Sequence, residues 1–345
     1  MIRLSVIIPM YNVAPYVERC IRSLENQDIP KDQFELICIN DGSPDNSSDI
    51  VEDLKQEFNN ILLINQENQG VSRARNNGIK KAKGEYLLFI DPDDYVEPNS
   101  FSRVLNNVSA YNAEVSFLGF TVFNEFGKER IRIFNEKVCN DRYIGIDAYF
   151  AGRGDGQTDP DRMWAILYKS EFIKKNKLFF LPNVPYLEDG ELIARILCLA
   201  KICIFDGHSF YQRTSRPGSA THSNLYYSEK AINGFLIAAQ NLKQFQAQTN
   251  LSPEQKKFLT QPINKFVLLT LNAALQKPVF KNYIKIKRRL KDVGFSKLET
   301  DGLHAPYKEL TSLYNSICIS FAFKAYLNEF KHLLKKVLKY KHQAV

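Results

Sequence analysis

Three aspartates follow an apolar run in the segment FIDPDDYVEP, residues 89–98. Asp91, Asp93 and Asp94 lie so close in sequence that they would repel one another, and they would lose hydration if buried. A divalent cation such as Mg²⁺ or Mn²⁺ would relieve this repulsion, because hard cations prefer carboxylate oxygens and also bind phosphates. An Asp-Pro turn or a helix cap is the structural alternative. The segment therefore predicts a metal and phosphate site, with a turn as the competing interpretation.

Three other polar segments could take part in the same chemistry. NDGSPD (40–45) offers Asp41 as an acceptor for a nucleobase N–H, and RARNNG (73–78) offers Arg75 to a diphosphate or to the aspartates. LED (187–189) offers carboxylates that could take a proton from a hydroxyl nucleophile. Each segment alone could equally be a turn, a helix cap or a solvated helix face. Their joint occurrence favours a binding site.

Short apolar runs alternate with segments of helical spacing over the first 120 residues. This pattern is typical of βαβ units and of a parallel sheet flanked by helices. Ligands bind such sheets beyond the carboxyl ends of the strands, so the polar segments after the runs are predicted to line one crevice. The predicted strands are LSVIIP (4–9), FELICIN (34–40), NILLIN (60–65), EYLLFI (85–90) and AEVSFLGF (113–120). The predicted helices cover 15–27, 47–58, 71–84 and 98–111.

The second half of the chain changes character. Residues 151–162 are rich in Gly and Asp and predict a loop, whereas 186–201 has helical spacing with acids in its first turn. A short strand at ICIFDG (202–207) and a polar loop over 211–222 are predicted next. From about residue 225 onward the spacing is helical throughout. We therefore expect a helical C-terminal extension.

Composition restricts the class of protein. The length of 345 residues suits one large domain with an extension, and no apolar run reaches the ~18 residues of a membrane-spanning helix. The N-terminal segment does not have the ~7–15-residue apolar stretch of a signal peptide, so we expect a cytoplasmic protein. The six cysteines are scattered without a CxxC pair, which favours buried free thiols over zinc or disulfides.

Positive charge is concentrated at the C-terminal end. From residue 281 onward there are 14 Lys and Arg against 5 Asp and Glu, although the net charge of the whole chain is only +8. Residues 324–341 predict a basic amphipathic helix. Two interpretations stay open: a helical subdomain that covers the core or forms a homodimer, and peripheral attachment to the inner face of an anionic membrane. Nucleic acid is disfavoured as a partner, because the predicted sheet edge is acidic.

The ordered set of motifs resembles glycosyltransferase family 2, the inverting enzymes of GT-A fold. The motifs are SVIIPMYN, INDGSPDNS, ENQGVSRARNNGIKKAKGEYLLFIDPDDY and a later Trp followed by LEDGELIARIL, within residues 1–220. The resemblance implies an α/β, Rossmann-like GT-A domain over 1–222, with a mostly parallel sheet flanked by helices. Its nucleotide-sugar half would be 1–120 and its acceptor half 121–222, and 223–345 would form the helical C-terminal region.

The resemblance also implies an activity. A sugar would move from a nucleotide-sugar, expected to be a UDP-sugar, to a hydroxyl of a glycan or lipid-linked acceptor in surface polysaccharide synthesis. A nucleotidyltransferase that makes sugar nucleotides is an alternative, although PMYNVAP near the N-terminus is no Gly-rich phosphate loop. A non-catalytic nucleotide-binding or nucleic-acid-binding module is the other alternative.

Residue roles for the donor follow from the same resemblance. Pro9 and Tyr11 would line the uracil pocket, and Asp41 would hold the uracil N3–H. Arg75 would lie near the diphosphate, and Asp91 would contact the ribose. Pro9 ends a predicted strand, whereas Tyr11, Asp41 and Asp91 follow predicted strands and Arg75 lies in the first half of a predicted helix.

The resemblance assigns the remaining roles to the metal and the reaction. Asp93 would bind Mg²⁺ or Mn²⁺, with Asp94 supporting the loop, and His222 is preferred to His208 as a further metal contact.

Asp189 would be the catalytic base, oriented with help from Glu188. Gly190 is an unusual residue to find directly after these two acids at a helix start. Trp164 would lie near the donor sugar, although a core Trp beside a strand is an equal alternative. The reaction would be a single displacement, in which one base suffices and no covalent nucleophile is needed.

Overall fold

The computed structural model describes residues 1–123, 129–153, 159–215, 224–276 and 279–316. The chain divides into two compact units that interleave along the sequence. The first unit comprises 1–152, 162–182 and 200–219, and the second comprises 153–161, 183–199 and 220–345. The predicted boundary between residues 222 and 223 lies within segment 216–223, outside the described residues, so it stays a prediction.

A mixed sheet forms the centre of the first unit. In the described residues it has nine strands, ordered β3-β2-β1-β4-β8-β6-β9-β5, with β7 pairing beside β6. The bounds are β1 Leu4–Met10, β2 Phe34–Asp41, β3 Ile61–Gln66, β4 Tyr86–Phe89, β5 Tyr95–Val96, β6 Val115–Phe123, β7 Glu129–Arg132, β8 Ile166–Lys169 and β9 Cys203–Thr214. β1 pairs in parallel with β2 and β4, and β2 pairs in parallel with β3. The carboxyl ends of these four strands therefore meet at one edge.

Helices of the first unit connect and flank these strands. Their bounds are α1 Ala14–Glu25, α2 Ser47–Glu57, α3 Val71–Lys81, α4 Phe101–Ala110, α5 Glu136–Cys139, α6 Gly145–Ala151 and α7 Ser170–Lys175, with a 3-10 turn at Lys31–Gln33. α1 shows why the predicted helices form: Val17, Cys20, Ile21 and Leu24 recur at helical spacing and are all fully buried. Full burial of a Val, Ile or Leu side chain contributes roughly 1.5–3 kcal/mol.

The length of β9 and the presence of two short strands, β5 and β7, differ from the sequence prediction. β9 extends to Thr214, so the prediction of a polar loop beginning at residue 211 is wrong for 211–214. These residues pair with β6, and Tyr211 and Gln212 also pair with β5. β5 itself has two residues and β7 has four, too few to give a periodic signal. β8 runs antiparallel to both β4 and β6.

The second unit is helical in its described residues. Its helices are α8 Glu188–Leu199, α9 Glu229–Gln246, α10 Pro253–Ala274, α11 Val279–Asp292 and α12 Tyr307–Ser316, with a 3-10 turn at Asn224–Tyr227. α10 begins with a capping box, in which Ser252 and Gln255 bond each other's backbone N–H. Its residues are buried on almost every side, and α8, α9, α11 and α12 contact it. α10 is therefore the central helix of this unit.

Two further sequence predictions concern the cysteines and the C-terminal basic helix. Cys20, Cys38, Cys198 and Cys203 are buried free thiols, as predicted, and Cys139 is a half-buried one. The predicted basic helix at 324–341 lies outside the described residues.

In the described part of the chain, none of the helices combines the length and the apolar character that crossing a membrane requires.

Candidate functional site

Asp91 lies directly beyond β4 and is paired with Arg75 on α3. The distance from Arg75 Nη2 to Asp91 Oδ1 is 2.9 Å, and the arginine side chain is 9% exposed against 36% for the aspartate. The guanidinium also lies over the ring of Phe180, with 5.1 Å to its centroid. The sequence analysis predicted either a diphosphate or the aspartates as the partner of Arg75, and in the structure Arg75 is paired with an aspartate. The predicted contacts with diphosphate and ribose stay predictions.

Asp94 is buried and holds the neighbouring strand. Its Oδ2 accepts from the Tyr211 hydroxyl at 2.7 Å, and its Oδ1 accepts from the Thr214 N–H at 2.7 Å. Burial first, and then the charges of Asp93 and Asp91, raise the pKa of Asp94 well above the ordinary value. We call residues 91–94 the aspartate loop. The carboxyl group of Asp94 therefore fixes this loop to β9.

Asp93 is half-buried, and its backbone is fixed from two directions. Its carbonyl oxygen accepts from the Thr214 hydroxyl at 2.6 Å and from the Arg19 guanidinium. Arg19 in turn lies over the Tyr95 ring, with 4.9 Å to its centroid. These contacts order the segment that carries the predicted metal ligand. Tyr211, Thr214 and Arg19 were not singled out from the sequence.

The carboxylate oxygens of the aspartate loop suit a hard divalent cation. Asp91 and Asp93 both keep part of their surface exposed, and carboxylate oxygens are the ligands such ions prefer. No group of three or more His, Cys, Asp or Glu side chains in the described residues is already arranged around a metal position. A cation here would therefore need further ligands from a bound molecule or water.

Of the two histidines proposed as metal ligands, only His208 lies in the described part of the chain. The His208 side chain is 72% exposed, and its Nδ1 lies 3.3 Å from Asp206 Oδ1, so its observed partner is on its own strand and not in the aspartate loop. His222 lies outside the described residues. A histidine contribution to the metal stays a prediction.

Asp41, the last residue of β2, is 4% exposed and anchors the loop that leads into α3. Its Oδ1 accepts from Gln66 Nε2 at 2.7 Å and from the Gln69 N–H at 2.8 Å, and its Oδ2 accepts from the Gly70 N–H at 2.8 Å. Gly70 has φ +85°, which favours glycine. The sequence prediction of a nucleobase contact misses this structural role, and Oδ2 keeps acceptor capacity for one.

The end of β1 presents an exposed aromatic ring. Pro9 is buried within β1, whereas Tyr11 just beyond the strand is 50% exposed. The next residue, Asn12, has φ +55° and donates its N–H to Ser43 Oγ at 3.1 Å. An exposed aromatic ring can stack on a nucleobase. The arrangement is compatible with the predicted uracil pocket.

Trp164 is half-buried and joins the aspartate loop to the core. Its ring stacks on Tyr211 at 5.0 Å between centroids and meets Phe120 edge-on at 4.9 Å. Arg213 lies over the same ring, with 5.3 Å to its centroid. Trp164 therefore has a packing role behind the Asp94–Tyr211 bond, and its predicted contact with the donor sugar stays a prediction.

Glu188 and Asp189 begin α8 in the second unit, as the sequence predicted for the start of a helix. Asp189 Oδ1 accepts from the Gly190 N–H at 2.8 Å. The preceding residue, Leu187, has φ +59°, which is strained for a leucine. A Cβ on Gly190 would lie 2.8 Å from Asp161 Oδ1, which explains a glycine at this point. Asp161 itself falls in the segment that the sequence predicted only as a loop.

Comparison with known proteins gives agreement in family and in fold. Residues 5–170 match the model of glycosyl transferase family 2. The minor teichoic acid biosynthesis protein GgaB of Bacillus subtilis is 38% identical over 68% of this chain and 25% of its own length. The uncharacterized glycosyltransferase EpsJ of the same organism is 43% identical over 54% of this chain and 53% of its own length. The chain thus spans between a quarter and about half of these two relatives.

The fold agrees over nearly the whole chain with a solved structure. TarS 1–349 of S. aureus, in complex with UDP-GlcNAc, superimposes with a TM-score of 0.66 at 17% identity, covering 99% of this chain and 92% of that one. The predicted fold class, a GT-A-type sheet flanked by helices, is confirmed. The match of the motif-bearing segment and the agreement in fold lead to one conclusion: residues 5–170 of this chain belong to glycosyl transferase family 2.

Proposed function

We propose that this protein is an inverting glycosyltransferase that moves a sugar from a nucleotide-sugar to an acceptor hydroxyl. The observation that carries the proposal is the aspartate loop of a family 2 domain, with Asp91 ion-paired to Arg75 and Asp94 bonded to Tyr211 and Thr214. This loop follows β4, at the edge where nucleotides bind parallel sheets. A rigid loop that still has partly exposed carboxylates suits a charged diphosphate ligand better than a plain turn does.

Different residues of the first unit bind different parts of the nucleotide-sugar. Tyr11 packs on the base and Asp41 accepts its N–H, while the same Asp41 holds the loop of Gln69 and Gly70. Asp91 binds the ribose, and Arg75 neutralises negative charge on the diphosphate. Asp93 would hold Mg²⁺ or Mn²⁺, which when bound would stabilise the charge that develops on the departing phosphate. Pro9, Trp164 and Tyr211 support these groups from the core.

We assign the proton transfer to Asp189 at the first turn of α8. The acceptor hydroxyl attacks the anomeric carbon, the bond from that carbon to the diphosphate oxygen breaks, and Asp189 takes the hydroxyl proton. Glu188 helps to orient this carboxylate. Support comes from the motif and from the strained backbone at Leu187, since strain of this kind concentrates at functional sites.

The proposed donor is a UDP-sugar, and the proposed acceptor is a glycan or lipid-linked hydroxyl in the synthesis of a surface polymer. One relative is named for teichoic acid biosynthesis, and the similar TarS structure holds UDP-GlcNAc.

Release of nucleotide from a panel of UDP-sugars tests the proposal. With Mg²⁺ or Mn²⁺, the wild type should release UDP, and Asp93→Ala should reduce the rate by about 100-fold or more, because several kcal/mol of charge stabilisation would be lost. Asp189→Asn should reduce kcat by about 100-fold while UDP affinity stays unchanged. Asp53→Ala, at an exposed position on α2, is the matched control. Full activity of Asp93→Ala would remove this aspartate from the mechanism.

Product analysis separates the proposal from its enzymatic alternative. A glycosyltransferase releases free UDP and leaves an inverted anomeric linkage on the acceptor. A nucleotidyltransferase would release pyrophosphate from a nucleoside triphosphate and a sugar phosphate. Pyrophosphate as the product would therefore contradict the proposed function.

We further propose that the basic C-terminal region attaches the protein to the inner face of the cell membrane. In its described part, α11 exposes Lys281, Lys285 and Arg288 along one side. Cations at this spacing attract an anionic lipid surface. The protein should co-sediment with anionic vesicles and not with neutral ones, and a variant lacking 320–345 should bind less. Unchanged co-sedimentation of that variant, or a concentration-dependent homodimer that the truncation abolishes, would contradict membrane attachment through the tail.

A further inference from the structure

A second Asp-Pro-Asp sequence, at residues 159–161, lies in the second unit and binds an internal cation. Lys265 Nζ on α10 lies 2.5 Å from Asp161 Oδ1 and 3.3 Å from Asp159 Oδ2. The Lys265 side chain is 3% exposed, and those of Asp159 and Asp161 are 0% and 4% exposed. Arg153 completes the group, with its Nη2 2.6 Å from Asp159 Oδ1. We call these four residues the buried ion cluster.

The buried ion cluster is balanced and well bonded. Two carboxylates face two cations, and Asp159 Oδ2 also accepts from the Tyr307 hydroxyl at 2.9 Å. Burial alone would raise the pKa of Asp159, but Lys265 and Arg153 hold it below the ordinary value. Desolvation costs several kcal/mol for each buried ion, and apolar residues of similar volume often give equal stability. Stability alone therefore does not account for charges at this place.

The cluster lies close to the start of α8. Asp161 Oδ1, the oxygen bonded to Lys265, is the nearest atom to the position of a Cβ on Gly190, at 2.8 Å, and Asp161 Cγ follows at 3.1 Å. Gly190 is also the residue whose N–H holds Asp189 Oδ1 at 2.8 Å. Lys265 thus bonds Asp161, Asp161 occupies the space that any side chain at position 190 would need, and the Gly190 N–H bonds Asp189.

The backbone before Asp189 needs this kind of support. Leu187 has φ +59°, and Gly190 N–H donates to the Leu187 carbonyl at 3.1 Å, so the turn is tight as well as strained. Strained backbone persists only where its surroundings fix it. The Asp161 carboxylate cannot swing aside freely, because Lys265 holds it. The first turn of α8 therefore has a fixed side chain beside it, which leaves room only for glycine at position 190.

We propose that Asp161 and Lys265 are positioning residues that set the place of the Asp189 carboxylate by holding the turn at Gly190. This rests on the proposed function, in which Asp189 is the base. The pair touches neither the donor nor the acceptor in this role. Its effect is on the geometry of proton removal, so it should appear in kcat and not in the binding of UDP.

Gly190→Ala is the first test, because it adds one methyl group and leaves every charge in place. The methyl should displace the turn, and kcat should fall by about 100-fold, the cost typical of a displacement near 1 Å. The donor KM and UDP affinity should not change. In Asp161→Ala/Gly190→Ala the obstructing atoms are gone, and the remaining neighbour is Asp161 Cβ at 3.5 Å. The double variant should therefore have the kcat of Asp161→Ala alone, not the product of the two losses.

Asn264→Ala is the matched control for lost stability. Asn264 precedes Lys265 on α10, is 2% exposed and donates to the Glu299 carbonyl at 2.7 Å and to Thr311 Oγ1 at 3.2 Å. Its loss should lower the midpoint of thermal unfolding but leave kcat per UDP-binding site unchanged. Asp161→Asn, nearly isosteric, should lower kcat even if Gly190→Ala does not fold.

Two outcomes distinguish the inference from the function on which it rests. If the wild type releases no nucleotide from any donor, the proposed function fails and the inference falls with it. If the wild type is active but Gly190→Ala and Asp161→Asn keep its kcat, the inference alone is overturned. It is also overturned if these variants lose only thermal stability, as Asn264→Ala should, since that is a structural role without positioning.

Discussion

Tyr211 holds the aspartate loop through two hydrogen bonds. It lies on β9, its hydroxyl donates to Asp94 and accepts from the Asp91 N–H at 3.2 Å, and its ring stacks on Trp164. Burial, followed by the charges of Asp94 and Asp91, raises the pKa of the Tyr211 hydroxyl well above the ordinary value. The phenol therefore stays protonated and serves as a permanent donor. One hydroxyl thus ties two of the three aspartates together.

Tyr211→Phe should weaken this loop. Removal of the hydroxyl leaves a buried carboxyl oxygen and a backbone N–H without their partner, which costs about 1–3 kcal/mol. The free energy of unfolding measured in urea should fall by that amount, and the transfer rate should fall as the loop loosens. Tyr143→Phe is the matched control, because that ring packs edge-on against Phe205 at 5.3 Å, away from the aspartates. Equal losses in both variants would contradict the role given to the Tyr211 hydroxyl.

At the scale of elements, α3 carries Arg75 to the aspartate loop because it lies tightly on the sheet. Gly78 makes this approach possible: a Cβ there would meet Ile7 Cγ2 of β1 at 2.5 Å and Ile39 Cδ1 of β2 at 3.2 Å. Both isoleucines are fully buried. Close packing of helix on strand therefore sets the position of the guanidinium one turn earlier on the helix.

Gly78→Ala should push α3 away from the sheet. Overpacking of this kind costs about 1–3 kcal/mol, against a gain of about 1 kcal/mol in helix propensity. We expect a net loss of stability in urea unfolding and weaker UDP binding in calorimetry, because Arg75 moves with the helix. Lys80→Ala, at an exposed position of α3, should change neither quantity. Tighter or unchanged UDP binding in Gly78→Ala would refute the dependence on this contact.

The elements that could be predicted from sequence are those with local signals. β1 to β4 are continuous apolar runs, and the helices between them have regular spacing, so their predicted bounds lie within a few residues of the observed ones. The acids of the candidate site were singled out because they stand directly after such runs. Their partners could not be found, because Tyr211 and Asp94 are 117 residues apart and Lys265 and Asp161 are 104 apart. Pairing over such distances leaves no trace in a local pattern.

At the scale of the whole molecule, carboxylates stabilised by the fold occur in both units. Asp45 of the first unit accepts from the Ala14 N–H at 2.8 Å and the Ser47 hydroxyl at 2.5 Å. Burial alone would raise the pKa of Asp45, but these hydrogen bonds hold it below the ordinary value. Lys285 and Arg289 similarly overcome burial and lower the pKa of Glu229 in the second unit. A lowered pKa contributes stability above the unfolded value, near 4, and this is lost as pH falls through the folded value.

Unfolding in urea at pH 7 and at pH 3.5 should show this dependence. The wild type should be less stable at the lower pH, because the unfolded chain then binds more protons than the folded one. Asp45→Asn should be less stable than the wild type at pH 7, and the difference should shrink in acid, where Asp45 of the unfolded chain takes up a proton. Asp53→Asn is the control at an exposed site. A difference that is constant with pH would show that ionisation of Asp45 contributes nothing.

The interleaving of the two units has a consequence for the order of events during synthesis. Asp159 and Asp161 leave the ribosome about a hundred residues before Lys265, and Tyr307 follows 148 residues after Asp159. Until α10 has been made, these acids have Arg153 as a cation but not Lys265, so the buried ion cluster is incomplete. The inferred hold of Lys265 and Asp161 on the turn that carries Asp189 is therefore complete only after α10 has been made. A nascent chain would form the sheet edge of β1 to β4 early and the proposed positioning of Asp189 late.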